Sequence, residues 1–226
     1  MAKVVIFGVG DFAGVAYVYL THDSNHEVVA FTVDRDYLKE SEFFELPVVA
    51  WDKVEKSYPP DEFKMFILTS FKRMNHFRED KYNQAKDKGY QLISYVSSKA
   101  TIWPNVIIGD NCCITEGNLI NPFVEIGNDV VLWNGNHVGH HTIIKDHCFI
   151  TSQVVICGRV VIEPYCFLGV NSTIRDEAII AKETLVGAGA LIMEDTKEYE
   201  VYRGFAAKSL GIRSDELRSI SHKAGG

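Results

Sequence analysis

The chain has 226 residues, a net charge of -7 and 46% hydrophobic residues, which suits one or two domains with real cores. The acidic balance disfavours a nucleic-acid surface. No apolar run approaches the roughly 20 residues that span a bilayer, and the opening MAKVVIFGVG lacks a cleavable signal pattern. A cytoplasmic protein without membrane insertion is therefore expected.

Lys3 to Phe7 reads as a buried strand that ends in Gly8, Val9, Gly10, Asp11, Phe12 and Ala13, followed by a helix to about Leu20 with Val15, Ala16, Tyr19 and Leu20 on one face. G-x-G-x-x-A after a strand is a dinucleotide-type fingerprint, whose glycines let phosphate approach a helix N-terminus. Glu27 to Val33 is a second strand, and Asp34 follows it where a ribose-binding carboxylate belongs. A short strand at 46–49, a helix start at Asp52, a strand at 65–68, a charged helix over 72–88 and a closing strand at 91–96 complete an α/β unit. Its length of about 95 residues is too short for the two-halved fold that binds a whole dinucleotide, but a single nucleotide moiety would fit.

From Val96 to Ile192 every sixth residue is Ile, Leu or Val, seventeen times without a slip. A period of six fits neither a helix nor a simple alternating strand and is the signature of a parallel β-helix. Four places after each aliphatic residue the side chain is usually small, with Asn118 and Asn136 as exceptions. Gly often follows the aliphatic position, as at Gly109, Gly139 and Gly187, where the backbone is expected to turn sharply. Cys112, Cys148 and Cys166 occupy small positions and read as inert packing; no cysteine has metal-ligand spacing with histidine. After Ile192 the register stops. A charged turn, the segment 201–208, one or two helical turns over 215–220 and a disordered tail at 222–226 are expected.

An α/β unit ahead of a hexapeptide repeat resembles the bacterial sugar acyltransferases of the PglD and NeuD type. The resemblance implies an N-terminal Rossmann-like nucleotide-sugar-binding domain (1–96), a left-handed β-helix (97–193) with three hexads per coil, and a C-terminal extension near CoA (194–226). It also implies a homotrimer that transfers acetyl from acetyl-CoA to a nucleotide-linked amino sugar, with no metal. With eighteen residues per coil, positions eighteen apart stack about 4.8 Å from one another.

Four of the eight histidines, His137, His140, His141 and His147, lie within eleven residues. On the hexad register the family's catalytic histidine corresponds to His140, and His141 takes the slot where relatives can carry an acidic residue. Asn134, Asn136 and Glu125 are candidates to orient His140, with a neighbouring subunit as another source of such a group, and a shift of one residue would make His141 the base. Imidazole, with an ordinary pKa near 6.5, suits a general base at neutral pH, and the oxyanion needs a backbone N–H. Gly158, one coil above His140, matches the family's oxyanion and CoA position. Val170, Gly187 and Ala188 match pantetheine contacts, and the lane Ser152, Val170, Ala188 is uniformly small. Gly204 to Lys208 resembles the family's G-x-P-A-K segment with Ala206 for the proline; Arg203 and Lys208 could meet CoA phosphates. Gly10, Asp11, Phe12, Asp34, Arg35 and Ser70 align with the nucleotide-sugar site. The same base and groove would serve a sugar O-acetyltransferase. A non-catalytic β-helix scaffold, or a metal site built from the clustered histidines, are the readings from other classes.

Overall fold

The computed structural model describes residues 1–209, 211 and 213–216. Val4, Val5 and Ile6 are fully buried in β1 (Lys3–Phe7), as a central strand covered on both faces requires. The α1 helix (Asp11–His22) buries Ala13, Ala16 and Leu20, a stripe at helical spacing. Then come β2 (Glu27–Val33), the hairpin β3 (Glu42–Phe43) and β4 (Leu46–Ala50), a short α2 (Val54–Ser57), β5 (Lys64–Ile67) and α3 (His76–Asp87). The sheet order is β3-β4-β2-β1-β5, parallel except within the hairpin, with α1 on one face and α2 and α3 on the other.

Two expectations for this unit need correction. The helix expected from residue 72 begins at His76, because Arg73, Met74 and Asn75 all have left-handed backbone, with φ of 56°, 48° and 69°. The strand expected at 91–96 meets the sheet only through Leu92 beside Met65, while Tyr95–Val96 pairs with Cys113–Ile114 and so begins the next unit.

From there the chain winds as a three-sided prism of two-residue parallel strands, which fits a left-handed β-helix. The first face has seven strands, the second six and the third five. Pairings such as His137 with Val155 and Ile143 with Val161 hold the eighteen-residue coil throughout the repeat. The aliphatic and small positions fill one interior, where Ile114, Cys148, Ile156 and Cys166 are fully buried. Asn118 and Asn136 also point inward; Asn136 donates to Trp133 O at 2.6 Å and accepts from Val154 N at 2.8 Å, so its amide replaces missing backbone partners. Among the described residues one strand lies beyond the repeat: Val201–Tyr202 pairs with Leu185–Val186 and caps the first face. Ser214–Glu216 forms a single 3-10 turn; the rest of the helix expected over 215–220 and the tail at 222–226 lie outside the described residues.

The sharp turns do not fall on the glycines after each aliphatic residue. Left-handed backbone occurs three places after it, at residues such as Phe123 (φ 63°), His141 (φ 59°) and Arg159 (φ 58°). The earlier glycines answer a different constraint, close stacking of coils. A Cβ on Gly169 would lie 2.5 Å from Ala188 N, and one on Gly139 would lie 2.6 Å from Gly158 N.

The N-terminal unit covers the outer side of the first face. Phe149, Cys113 and Val131 are buried there among Val4, Ile6, Ala13 and Phe31. At the centre of this junction Arg78, fully buried, pairs with the equally buried Asp129 at 2.9 Å and also donates to the carbonyls of Asp129 and Cys148. The second Asp129 oxygen meets His147 Nδ1 at 2.8 Å, and Asn111 joins Asp129 to the Ile67 backbone. Asp23, at the end of α1, accepts from Tyr95, Ser97 and Ser98 and ties down the connection.

Candidate active site

The backbone turn at His141 lies on the edge between the second and third faces, and it sets His140 and His141 outward in adjacent positions, both exposed. His140 Nδ1 lies 3.1 Å from His141 Nδ1, and the two rings meet nearly at right angles. His141 in turn packs against Phe123, one coil below, with ring centroids 4.7 Å apart. A second imidazole, and not a carboxylate, is thus what touches His140. The candidates Asn134, Asn136 and Glu125 do not take that role within the chain. Asn136 is committed to the prism interior, Asn134 faces the Tyr19 hydroxyl, and Glu125 lies outward between Ile107 and Ile143 on the third face.

One coil above, Gly158 faces the His140 ring. A Cβ on Gly158 would lie 2.9 Å from His140 Cε1 and 3.0 Å from Nε2. The imidazole occupies the space that any larger residue at 158 would need. The Gly158 amide, however, donates to Asp176 Oδ1 at 2.7 Å from the next coil up. Asp176 stands thirty-six residues beyond His140, two coils on the same lane. Extending the coil rule by one more step would have found it. Burial first, and then the nearby Asp176 carboxylate, push the Cys157 thiol up, against any reactive thiolate beside the site.

The other two clustered histidines serve elsewhere. His147 belongs to the Arg78–Asp129 junction and stacks on Tyr165, while His137 faces outward on the second face near Asn121 Nδ2 at 3.4 Å. Among the described residues no group of His, Cys, Asp or Glu is arranged to hold a metal ion.

Val170, Gly187 and Ala188 lie on a different edge, between the first and second faces. There Gly204 presses the final segment onto Ala188 and Ala190, with the backbones so close that a Cβ on Gly204 would lie 2.9 Å from Ala190 N. The chain then runs through Lys208, exposed, from the end of this lane. Within one chain the second face separates this lane from His140 and Gly158.

The expected nucleotide-sugar residues lie in a third place. A cavity of about 540 Å³ between α1 and the β3–β4 hairpin is lined by Val9, Gly10, Asp11, Gly14, Phe43 and Phe44 among others. A smaller one of about 260 Å³ shares Val9 and Phe43 with it and adds Tyr37 and Lys39. Phe12 lines neither; its ring packs on Trp133 and Phe149 at the junction with the prism. Asp34 Oδ1 is 2.5 Å from Lys81, whose ammonium sits over the Phe7 and Trp51 rings, and Arg35 pairs with Asp52. Ser70 follows β5, next to Phe71, whose ring packs at a tilt against Phe167 of the prism.

No family model matches the chain. Among curated proteins it is 28% identical over 120 residues to an acyl-[acyl-carrier-protein]--UDP-N-acetylglucosamine O-acyltransferase of Nautilia profundicola, covering 50% of this chain and 46% of that protein. The chain spans about half the length, or less, of the curated relatives it matches. Among solved structures, a mutant perosamine N-acetyltransferase from Caulobacter crescentus in complex with CoA and GDP-perosamine superposes with a TM-score of 0.81 at 23% identity, over 90% of this chain and 94% of the other. The acetyltransferase domain of PglB from Neisseria gonorrhoeae in complex with acetyl coenzyme A gives 0.78 at 19% identity, over 92% and 98%. These likenesses establish a shared fold over nearly the whole chain, and the proteins that share it are the bacterial sugar acyltransferases that the sequence resembles.

Proposed function

We propose that the chain is an acetyl-CoA-dependent N-acetyltransferase acting on a nucleotide-linked amino sugar. The observation that carries this reading is the approach of the His140 ring to Gly158, one coil above, at the point where a base and a backbone donor must serve one carbonyl. His140 Nε2 accepts a proton from the sugar amine as its nitrogen attacks the thioester carbonyl carbon. A C–N bond forms, the tetrahedral intermediate collapses, the C–S bond breaks, and the departing CoA sulfur takes the proton back from His140. His141 holds the ring through the Nδ1 contact. The small lane of Val170 and Ala188 suits a slender pantetheine arm, with Gly187 beside it and Lys208 toward the CoA phosphates.

The N-terminal unit, read as Rossmann-like, binds the nucleotide portion around Gly10 and Asp11, which line the cavity of about 540 Å³; Asp34, Arg35 and Ser70 line neither cavity and would join only if the ligand extends beyond it. The three parts meet only between copies. The His140 edge is opposite the face that the chain's own N-terminal unit covers, and the second face separates it from the Val170 lane. A homotrimer that sets one prism's His140 edge against a neighbour's lane and N-terminal unit assembles all of them. Exposed Leu119, Val155 and Leu191 on the second face provide apolar surface for such packing.

O-acylation is the second reading, favoured by the O-acyltransferase relatives among curated proteins, and it uses the same base and groove. Thiol release from acetyl-CoA, followed with nucleotide-linked amino sugars and with their hydroxy counterparts, separates the two. His140→Ala is expected to lose turnover at least about 100-fold while CoA still binds. Retention of full activity by that variant, with His141→Ala inactive, would move the base to His141.

A further inference from the structure

We infer that Asp176 occupies the acyl-oxygen position and competes with acetyl-CoA for the Gly158 amide. This rests on the acyl-transfer reading above. A carboxylate oxygen 2.7 Å from an amide nitrogen sits where the oxyanion of an acyl-transfer intermediate would sit. The same oxygen lies 3.2 Å from the point where a Gly158 Cβ would project, and His140 Nε2 lies 3.0 Å from that point, so carboxylate and base border one small space. The neutral carbonyl of a thioester is a weaker acceptor than a carboxylate. A developing oxyanion would be repelled if the carboxylate stayed. Asp176, exposed at the prism edge, must therefore rotate outward before the thioester can use the amide.

The chain supplies its own control for a purely structural role. On the edge between the third and first faces Asn128 N donates to Asp146 Oδ1 at 2.7 Å, between the same hexad positions one coil apart. There the bond only ties coil to coil, far from His140. If the Asp176 bond did no more, removing either carboxylate would cost stability alone.

The test is a steady-state and calorimetric comparison of the full-length wild type, Asp176→Ala, Asp176→Asn and Asp146→Ala. The competition predicts that Asp176→Ala lowers the KM for acetyl-CoA, and its dissociation constant, by about fivefold. The KM for the sugar should stay the same. Asp176→Asn, which keeps a neutral acceptor, should shift the same way by less, and it serves if the alanine variant fails to fold. Asp146→Ala should leave the acetyl-CoA parameters unchanged. An active wild type whose acetyl-CoA affinity is unchanged or weakened by both Asp176 substitutions overturns the competition and leaves the acyl-transfer reading intact. A folded wild type that neither binds nor turns over acetyl-CoA overturns both.

Discussion

Gly158→Ala isolates the geometry on which the proposed chemistry depends. The added methyl would lie 2.9 Å from His140 Cε1, 3.0 Å from Nε2 and 3.2 Å from Asp176 Oδ1. Favourable contact begins at about 3.5 to 4.0 Å, so the ring must retreat by about 0.6 to 1 Å. Both neighbours are exposed side-chain ends, and Gly158 is not among the residues with positive φ, so the fold can absorb the change. A cost of about 1 kcal/mol or less in urea unfolding is expected. A displacement of 1 Å from productive alignment can cost about 100-fold in rate, so kcat should fall about 30- to 100-fold, or about 2 to 2.7 kcal/mol of barrier. Steady-state thiol release beside a denaturation curve reads both quantities. A folded Gly158→Ala enzyme with kcat within about threefold of wild type would refute the placement of the base beside this glycine. Gly139→Ala makes the contrast, because its methyl meets the Cys157 and Gly158 backbones, which cannot move aside.

The junction between the units yields two further expectations. Arg78→Met should cost about 3 to 5 kcal/mol in urea unfolding, because it strands the fully buried Asp129 carboxylate without its cation; a loss below about 1 kcal/mol would mean that the pair is not buried as described. His76 lies between Glu79 of its own helix and Glu183 of the prism and stacks on Tyr165. Burial pulls its pKa down, but the hydrogen bonds to Glu79 and Glu183 outweigh that, and the net shift is upward. A raised folded-state value means stability that is fully present below the unfolded value near 6.5 and is lost as pH rises through the folded value. Unfolding midpoints should therefore fall as pH rises above about 6.5 in wild type, and His76→Gln should flatten that fall. An unchanged slope in the variant would assign it to other groups.

Much of the prism was legible because each coil repeats one demand. An aliphatic residue must fill the interior every six residues, and that constraint marks the sequence directly from Val96 to Ile192. The coil length then brought His140 under Gly158 without reference to any neighbouring segment. The turns are less legible, because the glycines after the aliphatic positions mark close coil stacking, while the left-handed positions carry residues as different as Phe123, His141 and Arg159. The prism over-determines the backbone at those positions and hides the strain from composition. Phe12 illustrates the same limit in the first unit. Beside a glycine turn it reads as a ligand contact, yet it packs on Trp133 and Phe149, more than a hundred residues away in the chain.

Spacing along the chain is enough to specify the hexad period, the inward aliphatic column, and the residues that share a lane. The folded chain alone sets what depends on the junction of two units that no period links. Arg78 and His147 both converge on Asp129, fifty-one residues after the one and eighteen before the other. It also decided that the Gly158 amide is already engaged, since a hydrogen bond requires a direction as well as a neighbour, and only the folded edge turns the Asp176 carboxylate toward that nitrogen.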